Sequence, residues 1–261
     1  MKLSVIVPAY NEMFSLPKIL NKVVKTLPEV EKEIVIIDDC STDGTREWLQ
    51  AKIGIQMRYA SPGTGDTVSI SDLPPSDVGN GGNGPAVASI RSLFHDRNQG
   101  KGAALRTGLR AATGDVIVIQ DADLEYDPAD WHRFWPLFAE GHADVVYGSR
   151  FYGAPHRCLY YHHFFANKII SLLFSVLYNQ ILSDLEVCYK MFTRDVLNLL
   201  TLRSNDFGFE IEFSSNIARA RRLRIYELAI SYFGRTYDEG KKINWKDGVK
   251  ALFYLVRYRF T

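Results

Sequence analysis

The chain has few cysteines and no long apolar segment. Its 261 residues include three cysteines, at positions 40, 158 and 188, which are widely spaced and form no CxxC pair. A disulfide framework or a zinc knuckle is therefore not expected, and a reducing compartment fits best. No uninterrupted apolar run approaches the ~20 residues that span a bilayer. The short apolar start also lacks the length and cleavage pattern of a signal peptide. These absences predict a cytoplasmic protein that is free or lies on a membrane without crossing it.

The sequence also lacks an excess of either charge. It contains 31 lysine and arginine residues against 30 acidic residues, a formal net charge of +1. Without global basicity, nucleic acid is not an expected partner, and electrostatic attraction of a ligand must come from local patches. Two nucleotide-binding patterns are missing as well. There is no GxxxxGK followed by Ser or Thr, and no GxGxxG follows the first apolar run.

What the chain does contain is a regular alternation of strand-like and helical patterns. Apolar, strand-like runs occupy residues 3–7, 33–38, 89–94, 116–120 and 143–147, and helical patterns occupy residues 15–26 and 101–112. Near-continuous apolar strands that alternate with helices are typical of a parallel sheet covered on both faces. We therefore predict an α/β fold, with a mostly parallel sheet and helices on both faces.

One segment departs from this alternation. Residues 61–85 are crowded with glycine, proline, serine and aspartate, and few of them could pack into a core. Such a composition predicts a mobile surface insertion, because it cannot offset the conformational entropy that ordering removes. The rest of the chain has the length of one domain with appendages, so we expect a single domain over residues 1–261.

Acidic residues follow three of the predicted strands. Glu12 comes after the first, Asp38 and Asp39 end the second, and Asp121 and Asp123 follow the run at 116–120. Ligands of parallel sheets bind at the carboxyl ends of strands, and aspartates two residues apart in extended backbone point the same way. Such oxygen pairs suit Mg²⁺ or Mn²⁺. An isolated DxD is more often a surface turn, but three acidic strand ends together favour a metal and diphosphate site.

Two neighbouring features extend this interpretation. Glu125, two residues beyond Asp123, could continue the row of metal ligands. The segment NQGKGA at residues 98–103 places glycines and a lysine before a helix. It could receive a phosphate at the helix N-terminus, or its glycines could only let the loop pass tightly into the helix.

Five motifs in order carry a family resemblance. They are PAYNE at residues 8–12, DDCSTDGT at 38–45, NQGKGAA at 98–104, DADLEYDP at 121–128 and GSR at 148–150. Together they resemble the family 2 glycosyltransferases, above all the dolichol-phosphate mannose synthase and dolichyl-phosphate glucosyltransferase branch. The resemblance covers nearly the whole chain and leaves out residues 61–85, which look like an insertion relative to that family.

The resemblance implies a GT-A fold and a role for each matching residue. The base and ribose side of a nucleotide-sugar would be bound by Pro8, Tyr10, Glu12, Ile37 and Asp39. The diphosphate would be bound by Asp121, Ala122, Asp123, Arg150, Arg235 and Lys241. Asp123 and Glu125 would hold the metal, Arg150 and Arg157 would meet the acceptor phosphate, and the catalytic residues would be Asp121, Asp123 and Arg150. Arginine suits phosphate because its fork engages two oxygens at once.

The resemblance further implies an inverting hexosyl transfer. The donor would be GDP-mannose or UDP-glucose, and the acceptor a polyprenyl or dolichyl phosphate, attacked in a single in-line displacement. A phosphate acceptor is already anionic and needs no strong base, and Arg150, His156 and Arg157 form a suitable basic cluster to position it. A hydroxyl acceptor would need a base, for which Asp184 is a candidate, although that residue could equally be structural.

Two main alternatives to this function remain, and a sugar-nucleotide-making enzyme is a weaker third, because the usual glycine-rich start of such enzymes is missing after the first strand. One is a family 2 transferase that acts on a soluble glycan or a protein side chain, and the other is a non-catalytic nucleotide-sugar-binding subunit. The second is disfavoured by the intact acidic and basic motifs.

Membrane contact is expected at two places. We interpret residues 151–182 as an acceptor loop and an amphipathic helix, and residues 235–261 as a basic loop and a C-terminal helix. In the first helix an apolar face is formed by Phe165, Ile169, Leu172, Leu173 and Val176, and a polar face by Lys168, Ser171, Ser175 and Asn179. Such a helix could lie in a membrane interface or pack against a core. With a lipid acceptor, the first option predicts a peripheral protein on the cytosolic membrane face.

Overall fold

A computed structural model describes residues 1–53, 87–153, 155–239 and 245–260 of the chain. The expected insertion at 61–85 and the candidate Lys241 lie outside these residues. The chain separates into two compact units, Met1–Leu124 and Glu125–Thr261, each of which is described by itself. The single-domain organisation expected from the sequence stays a prediction.

The first unit is built on a parallel sheet. Its strands are β1 (Leu3–Ala9), β2 (Lys32–Asp38), β3 (Val87–Phe94) and β4 (Val116–Ile119). Its helices are α1 (Leu16–Lys25), α2 (Thr45–Ile53) and α3 (Lys101–Ala111). The strands lie in the order β3-β2-β1-β4, and every pairing among them is parallel. Since β2 and β4 are buried along their whole length, they carry the continuous apolar runs that mark the interior of such a sheet.

The register of the first unit places the chemistry-bearing residues on one edge. Ala9 of β1 lies opposite Asp38 of β2, and Ile6 lies opposite Ile119 of β4. The acidic residues that follow β1, β2 and β4 are therefore gathered at the carboxyl edge of this sheet. Helix α3 packs closely against the same strands. A side chain at Gly108 would lie 2.5 Å from both Ile6 and Ile37, so the glycine allows this close approach.

The second unit combines a mixed sheet with four longer helices and one short one. Its strands are β5 (Val145–Ser149), β6 (Lys190–Thr193) and β7 (Ile225–Ala229). Its helices are α4 (Trp131–Ala139), α5 (Tyr161–Tyr178), α6 (Arg194–Leu199), α7 (Gly208–Arg219) and α8 (Trp245–Phe260). Strand β5 pairs parallel with β7 and antiparallel with β6. With the all-parallel first unit, this confirms the mostly parallel α/β sheet predicted from the sequence.

The buried side of helix α5 carries polar residues as well as apolar ones. Its buried positions include the polar residues Asn167 and Ser171, and its apolar residues Leu172 and Val176 are 64% and 73% exposed. The Ser171 hydroxyl accepts a hydrogen bond from the Leu185 backbone N–H at 3.1 Å, which satisfies this buried polar group. The helix thus packs through both apolar side chains, Ile170 and Phe174, and polar contacts, while Leu172 and Val176 face outward.

Helix α8 lies against α5 and shares this property. The two helices are in contact, and the Arg259 guanidinium lies 5.6 Å from the centre of the Tyr178 ring. Phe253, Val256 and Phe260 of α8 are also exposed. Across the part of the chain that the structure describes, no helix combines the length and apolarity that crossing a membrane requires.

Candidate active site

The loops at the carboxyl edge of the first unit have an unusual backbone. Asn11, Cys40 and Leu124, which follow β1, β2 and β4, have φ angles of 56°, 64° and 66°. Non-glycine residues rarely adopt this left-handed conformation, and such strain persists where the surroundings impose it, often at functional sites. The first two loops are tied together, because the Thr42 N–H donates to Asn11 Oδ1 at 2.8 Å and the Asn11 N–H donates to Ser41 Oγ at 2.9 Å.

Asp39 is the centre of a buried hydrogen-bond network in this edge. Its Oδ1 lies 2.7 Å from His95 Nδ1 and accepts from the Gln99 N–H at 2.9 Å, and its Oδ2 accepts from the Gly100 N–H at 2.8 Å. The second ring nitrogen of His95 lies 3.0 Å from Thr107 Oγ1. Gly100 has a φ of 92°, so a glycine is required where the loop turns into α3. The network fixes the start of α3 against the end of β2.

The first aspartate of the DxD motif forms an ion pair with a lysine at the end of this same loop. The Lys101 ammonium, at the first residue of α3, lies 2.7 Å from Asp121 Oδ1 and 2.8 Å from Oδ2. The carboxylate is therefore presented to a positive charge at the sheet edge. Of the two interpretations of residues 98–103, the tight glycine turn is seen directly, and phosphate binding at the helix start stays a prediction.

The other residues of the first unit that are predicted to bind the nucleotide differ in how far they are exposed to solvent. Tyr10 is 38% exposed, and Glu12 is nearly buried, with its Oε2 accepting from the Ser15 hydroxyl at 2.5 Å. Ile37 and Ala122 are buried, so their side chains belong to the packing beneath the edge. Pro8 lies in β1, directly opposite Ile37. The expected ligand contacts of these residues stay predictions.

In the second unit, Arg150 is held by a buried carboxylate. Arg150 Nε donates to Asp184 Oδ2 at 2.7 Å, Nη2 donates to Oδ1 at 2.6 Å, and the Arg150 backbone N–H donates to Oδ2 at 3.1 Å. Burial is the largest single influence and lowers the pKa of Arg150, but the charge and hydrogen bonds of Asp184 and the charges of two nearby tyrosines together raise it well above its ordinary value. This bidentate ion pair fixes the plane of the Arg150 guanidinium and keeps the group positively charged.

A further carboxylate supports Asp184 from behind. Glu227 of β7 accepts from the Ser183 N–H at 3.0 Å, from the Ser183 hydroxyl at 2.9 Å and from the Asp184 N–H at 3.1 Å. Burial raises the pKa of Glu227, although the hydrogen bonds from Ser183 and Asp184 act against this rise. The orientation of Arg150 is therefore set by two layers of side chains that lie behind it.

Tyr232 connects three basic and acidic candidates of the second unit. Its hydroxyl donates to Glu125 Oε2 at 3.1 Å, and the Arg150 guanidinium lies 5.3 Å from the centre of its ring. The Arg235 backbone N–H donates to Glu125 Oε1 at 2.9 Å, and Arg235 Nε lies 3.5 Å from the same oxygen. Burial raises the pKa of Tyr232 well above its ordinary value. The charge of Arg150 acts against this rise, and the charge of Glu125 adds to it. The structure thus brings Glu125, Arg150 and Arg235 together around one protonated tyrosine.

Arg157 lies on the neighbouring segment. Its backbone N–H donates to the Tyr232 carbonyl at 2.9 Å, and its Nη1 lies 2.6 Å from Glu239 Oε2. Arg157 is therefore held next to the residues that follow Tyr232, at an exposed position. The basic partner expected at Lys241 lies outside the described residues.

The sequence interpretation missed several residues of these networks, among them His95, Tyr232 and Glu227. His95 directly follows β3, so the rule that located Asp39, a polar residue at a strand's carboxyl end, would also have found it. Tyr232 had no such signal, because the strand before it, β7, is interrupted by Glu227 and has no continuous apolar run, and its partner Glu125 is 107 positions away.

The acidic side chains match the chemistry of a divalent metal. Asp121 already accepts a cationic group through both oxygens, and carboxylate oxygens are what Mg²⁺ and Mn²⁺ prefer. Among the described residues, no group of three or more His, Cys, Asp or Glu side chains forms a metal cage. Both Glu125 oxygens accept hydrogen bonds within the second unit, so its role as a ligand stays a prediction.

Solved structures share the fold. Glucosyl-3-phosphoglycerate synthase from Mycobacterium tuberculosis, in complex with Mn²⁺, uridine-diphosphate and phosphoglyceric acid, aligns with a TM-score of 0.64. The alignment covers 99% of this chain and 78% of that protein at 16% sequence identity. This likeness confirms the GT-A fold that the sequence resemblance implied.

The fold defines the GT-A class of proteins, and the sequence comparison specifies the family. The profile of glycosyl transferase family 2 matches residues 4–61 and 87–200. The chain therefore belongs to glycosyl transferase family 2, and it is a glycosyltransferase. The resemblance drawn from the five motifs is confirmed.

Three relatives have related names. A dolichyl-phosphate beta-glucosyltransferase from Dictyostelium discoideum is 26% identical, over 99% of this chain and 74% of the relative. An undecaprenyl-phosphate mannosyltransferase from Micrococcus luteus is 28% identical, over 92% of this chain and 87% of the relative. An undecaprenyl-phosphate 4-deoxy-4-formamido-L-arabinose transferase from Proteus mirabilis is 23% identical, and the match spans 62% of its length.

Proposed function

We propose that this enzyme transfers a hexose, with inversion, from a nucleotide diphosphate-sugar to a polyprenyl or dolichyl phosphate. The observation that carries the lipid acceptor is the outward-facing apolar side of α5, which begins 11 residues after Arg150. The names of the three relatives support the same acceptor class, since each is a transferase that acts on a polyprenyl phosphate.

The second unit suits an acceptor that is already anionic. Asp184, the candidate base for a neutral hydroxyl, is fully buried, and both its oxygens accept from Arg150. It is therefore poorly placed to remove a proton. A phosphate oxygen needs no such base, and what it requires is positive charge that holds it in line with the anomeric carbon.

In the proposed step, an acceptor phosphate oxygen attacks the anomeric carbon of the donor sugar. The bond from that carbon to the diphosphate oxygen breaks, and its electron pair leaves with the nucleoside diphosphate. Arg150 and Arg157 would orient the acceptor phosphate, and Arg235 and Lys241 would hold the diphosphate. Because Arg150 is fixed by Asp184, its charge is preorganised and needs no rearrangement during the reaction.

The proposed cofactor is Mg²⁺ or Mn²⁺. It would be held by Asp121 and Asp123, and by Glu125 if that residue releases Tyr232 and Arg235. A divalent ion bound there would neutralise the charge on the leaving diphosphate. On the first unit, the nucleoside would be met by Tyr10, Glu12 and Asp39.

We also propose that α5 and α8 rest on the cytosolic face of a membrane. Together they expose large apolar residues: Phe165, Leu172, Val176, Phe253, Val256 and Phe260. Arg257 and Arg259 lie in the last turn of α8 and provide positive charge for anionic headgroups. Lipid would cover an apolar surface that the protein itself leaves open.

Charges placed on α5 are expected to release the protein from membranes. In Leu172→Glu/Val176→Glu, the vesicle-bound fraction at limiting lipid should fall at least about tenfold, because burial of each side chain in lipid contributes roughly 1.5–3 kcal/mol. The measurement is co-sedimentation with vesicles of phosphatidylcholine and phosphatidylglycerol. Leu199→Glu is the matched control, since Leu199 is also exposed but ends α6. Equal sedimentation of the wild type and the double variant would refute this placement.

The function itself is tested by transfer to lipid. Radiolabelled GDP-mannose and UDP-glucose are each incubated with the protein, a short polyprenyl phosphate in detergent, and Mg²⁺ or Mn²⁺. We expect metal-dependent, lipid-extractable label from one donor, and none after chelation. Metal-dependent hydrolysis of a donor without lipid labelling would overturn the lipid acceptor and favour a soluble glycan or protein acceptor. Binding of a donor without any turnover would favour the non-catalytic subunit.

A further inference from the structure

The loop that carries Asp184 is held in place by side chains. Residues 183–186 lie outside the helices and strands, between α5 and β6. Glu227 accepts the first two backbone N–H groups of this loop, those of residues 183 and 184. The Ser183 carbonyl accepts a hydrogen bond from the Lys168 ammonium of α5 at 3.2 Å. Since the loop is part of no regular backbone ladder, the side chains that receive its N–H groups decide where it lies.

Helix α5 accepts the other two backbone N–H groups of the loop. The Leu185 N–H donates to Ser171 Oγ at 3.1 Å. The Glu186 N–H donates to Asn167 Oδ1 at 3.4 Å. Asn167 and Ser171 are four residues apart, so they lie on one side of the helix, and they are 2% and 3% exposed. Two buried polar side chains of α5 therefore fix the half of the loop that follows Asp184.

The stability of the fold does not account for Asn167. Its Oδ1 accepts the Glu186 N–H, whereas its Nδ2 is buried and has no hydrogen-bond partner in the described part of the chain. Burying an amide nitrogen in this state destabilises a fold, so an asparagine at this position calls for another reason. The reason that the contacts supply is the fixed place of residue 186.

The fixed loop in turn sets the position of Arg150. Asp184 lies between the two anchors of the loop, Glu227 and α5, and both its oxygens accept from the Arg150 guanidinium. Because Asp184 is fully buried, its carboxylate moves with the loop and carries the guanidinium with it. A misplacement of about 1 Å in a group that positions a reactant can lower a rate by ~10²-fold.

We propose that Asn167 and Ser171 are positioning residues for sugar transfer, which hold Arg150 in place through residues 183–186. The inference rests on the proposed function in so far as Arg150 orients the acceptor phosphate. Both residues act through the guanidinium, since the groups they receive belong to the loop behind it. Their loss should weaken the use of the acceptor and change the affinity for the nucleotide little, because the base and ribose are met by the first unit.

The first test measures how firmly Arg150 is held, without any substrate. Phenylglyoxal modifies arginine side chains, and it reacts slowly with a guanidinium that is buried and paired. The rate at which Arg150 is modified is followed by peptide mass spectrometry in the full chain, for the wild type, Asn167→Leu and Ser171→Ala. We expect the rate to rise at least about threefold in both variants, since the hydrogen bond that each removes corresponds to a factor of this order.

Ser175→Ala is the matched control for Ser171→Ala. Ser175 lies about one turn further along the same side of α5, and its hydroxyl donates to the Ser171 carbonyl of the helix backbone at 2.8 Å. The change removes the same hydroxyl from the same helix and leaves the loop contacts of Ser171 and Asn167 in place. The modification rate of Arg150 and the rate of transfer should both equal those of the wild type.

The second test is steady-state transfer to a short polyprenyl phosphate in detergent. In Asn167→Leu and Ser171→Ala, kcat/KM for the acceptor should fall about tenfold. The dissociation constants of UDP and GDP, from isothermal titration calorimetry, should stay within about threefold of the wild-type values. Asn167→Leu also separates positioning from stability. It removes the unpaired Nδ2 together with the loop contact, so its melting temperature should stay close to that of the wild type while transfer falls.

The outcomes separate this inference from the proposed function. Wild-type modification of Arg150 in both variants, acceptor kinetics within twofold of the wild type, or a tenfold loss of nucleotide affinity overturns the positioning role and leaves lipid-phosphate transfer untouched. A wild type that transfers no sugar to lipid phosphate overturns the proposed function, and the modification rates then decide whether Asn167 and Ser171 hold Arg150. If Ser171→Ala does not fold, Asn167→Leu decides, and unfolding of both variants contradicts the stability expected of Asn167→Leu and overturns the inference.

Discussion

Asp123→Asn is expected to lower kcat for sugar transfer by about 10²–10³-fold. The substitution removes a charged oxygen ligand from the pair proposed to hold the metal, and the loss of electrostatic stabilisation at a developing charge has effects of this size. Steady-state transfer measured across a series of Mg²⁺ concentrations should show a weaker metal dependence as well. The wild type treated with a chelator should fall to the activity of the variant.

The matched control for this prediction is Asp115→Asn. Asp115 directly precedes β4, at the opposite edge of the sheet from Asp121 and Asp123, and its carboxylate accepts from the Lys2 N–H at 2.8 Å. It has the same chemical change near the same strand without a place in the proposed metal site. We expect transfer within about twofold of the wild type, in keeping with a surface substitution. If Asp123→Asn retained activity within fivefold, the metal role of Asp123 would be wrong.

Much of the first unit could be predicted because its strands are buried on both faces. A buried parallel strand reads as a continuous apolar run, so β1, β2 and β4 were located to within two residues of their observed bounds. Their carboxyl ends share an edge by the geometry of parallel pairing, which is why the acidic residues after them could be grouped. Such a run is local information that a short stretch of sequence carries by itself, and the positions of these strands depend on it.

The hydrogen bonds of the site could not be predicted, because they join residues that are distant in sequence. Asp39 and His95 are 56 positions apart, and Arg150 and Asp184 are 34 positions apart. The local sequence around Asp39 or Asp184 does not indicate which distant residue its carboxylate contacts. For this reason Asp184 was left open as a base or a structural residue, and its burial against Arg150 favours the structural role.

Helix α5 shows a different limit. Its sequence predicts two faces, one apolar and one polar, but a periodic pattern does not indicate what covers each face. The common expectation for a globular protein buries the apolar face, and here Leu172 and Val176 are exposed while Asn167 and Ser171 are buried beside Ile170 and Phe174. The polar contacts that make this possible, such as that of Ser171 with the Leu185 N–H, arise from a loop 14 residues further along the chain.

Arg150→Ala is expected to lower kcat/KM by about 10²–10³-fold and the free energy of unfolding by about 3–5 kcal/mol. The first effect follows from the loss of a fixed positive charge at the proposed phosphate position. The second follows because Asp184, which is fully buried, would keep its charge without a partner. Urea denaturation and steady-state transfer with the chosen donor measure the two effects separately.

The double variant Arg150→Ala/Asp184→Ala separates catalysis from folding. Removing both members of a buried pair leaves no uncompensated charge, so most of the lost stability should return. Transfer should remain as low as in Arg150→Ala. Arg150→Lys should not rescue it either, since an ammonium cannot occupy both Asp184 oxygens in the fork geometry. Recovery of transfer in the double variant would show that Arg150 acts on folding alone.

Arg224→Ala is the matched control for this pair. Arg224 makes the same two-pronged contact with Asp144, at 3.1 Å from Nε and 2.6 Å from Nη2, but on the exposed surface. Since surface ion pairs contribute little to stability, both the unfolding free energy and transfer should stay close to those of the wild type. A loss in Arg224→Ala as large as that in Arg150→Ala would mean that paired arginines of the second unit stabilise the fold regardless of burial. The special position of Arg150 would then have no support.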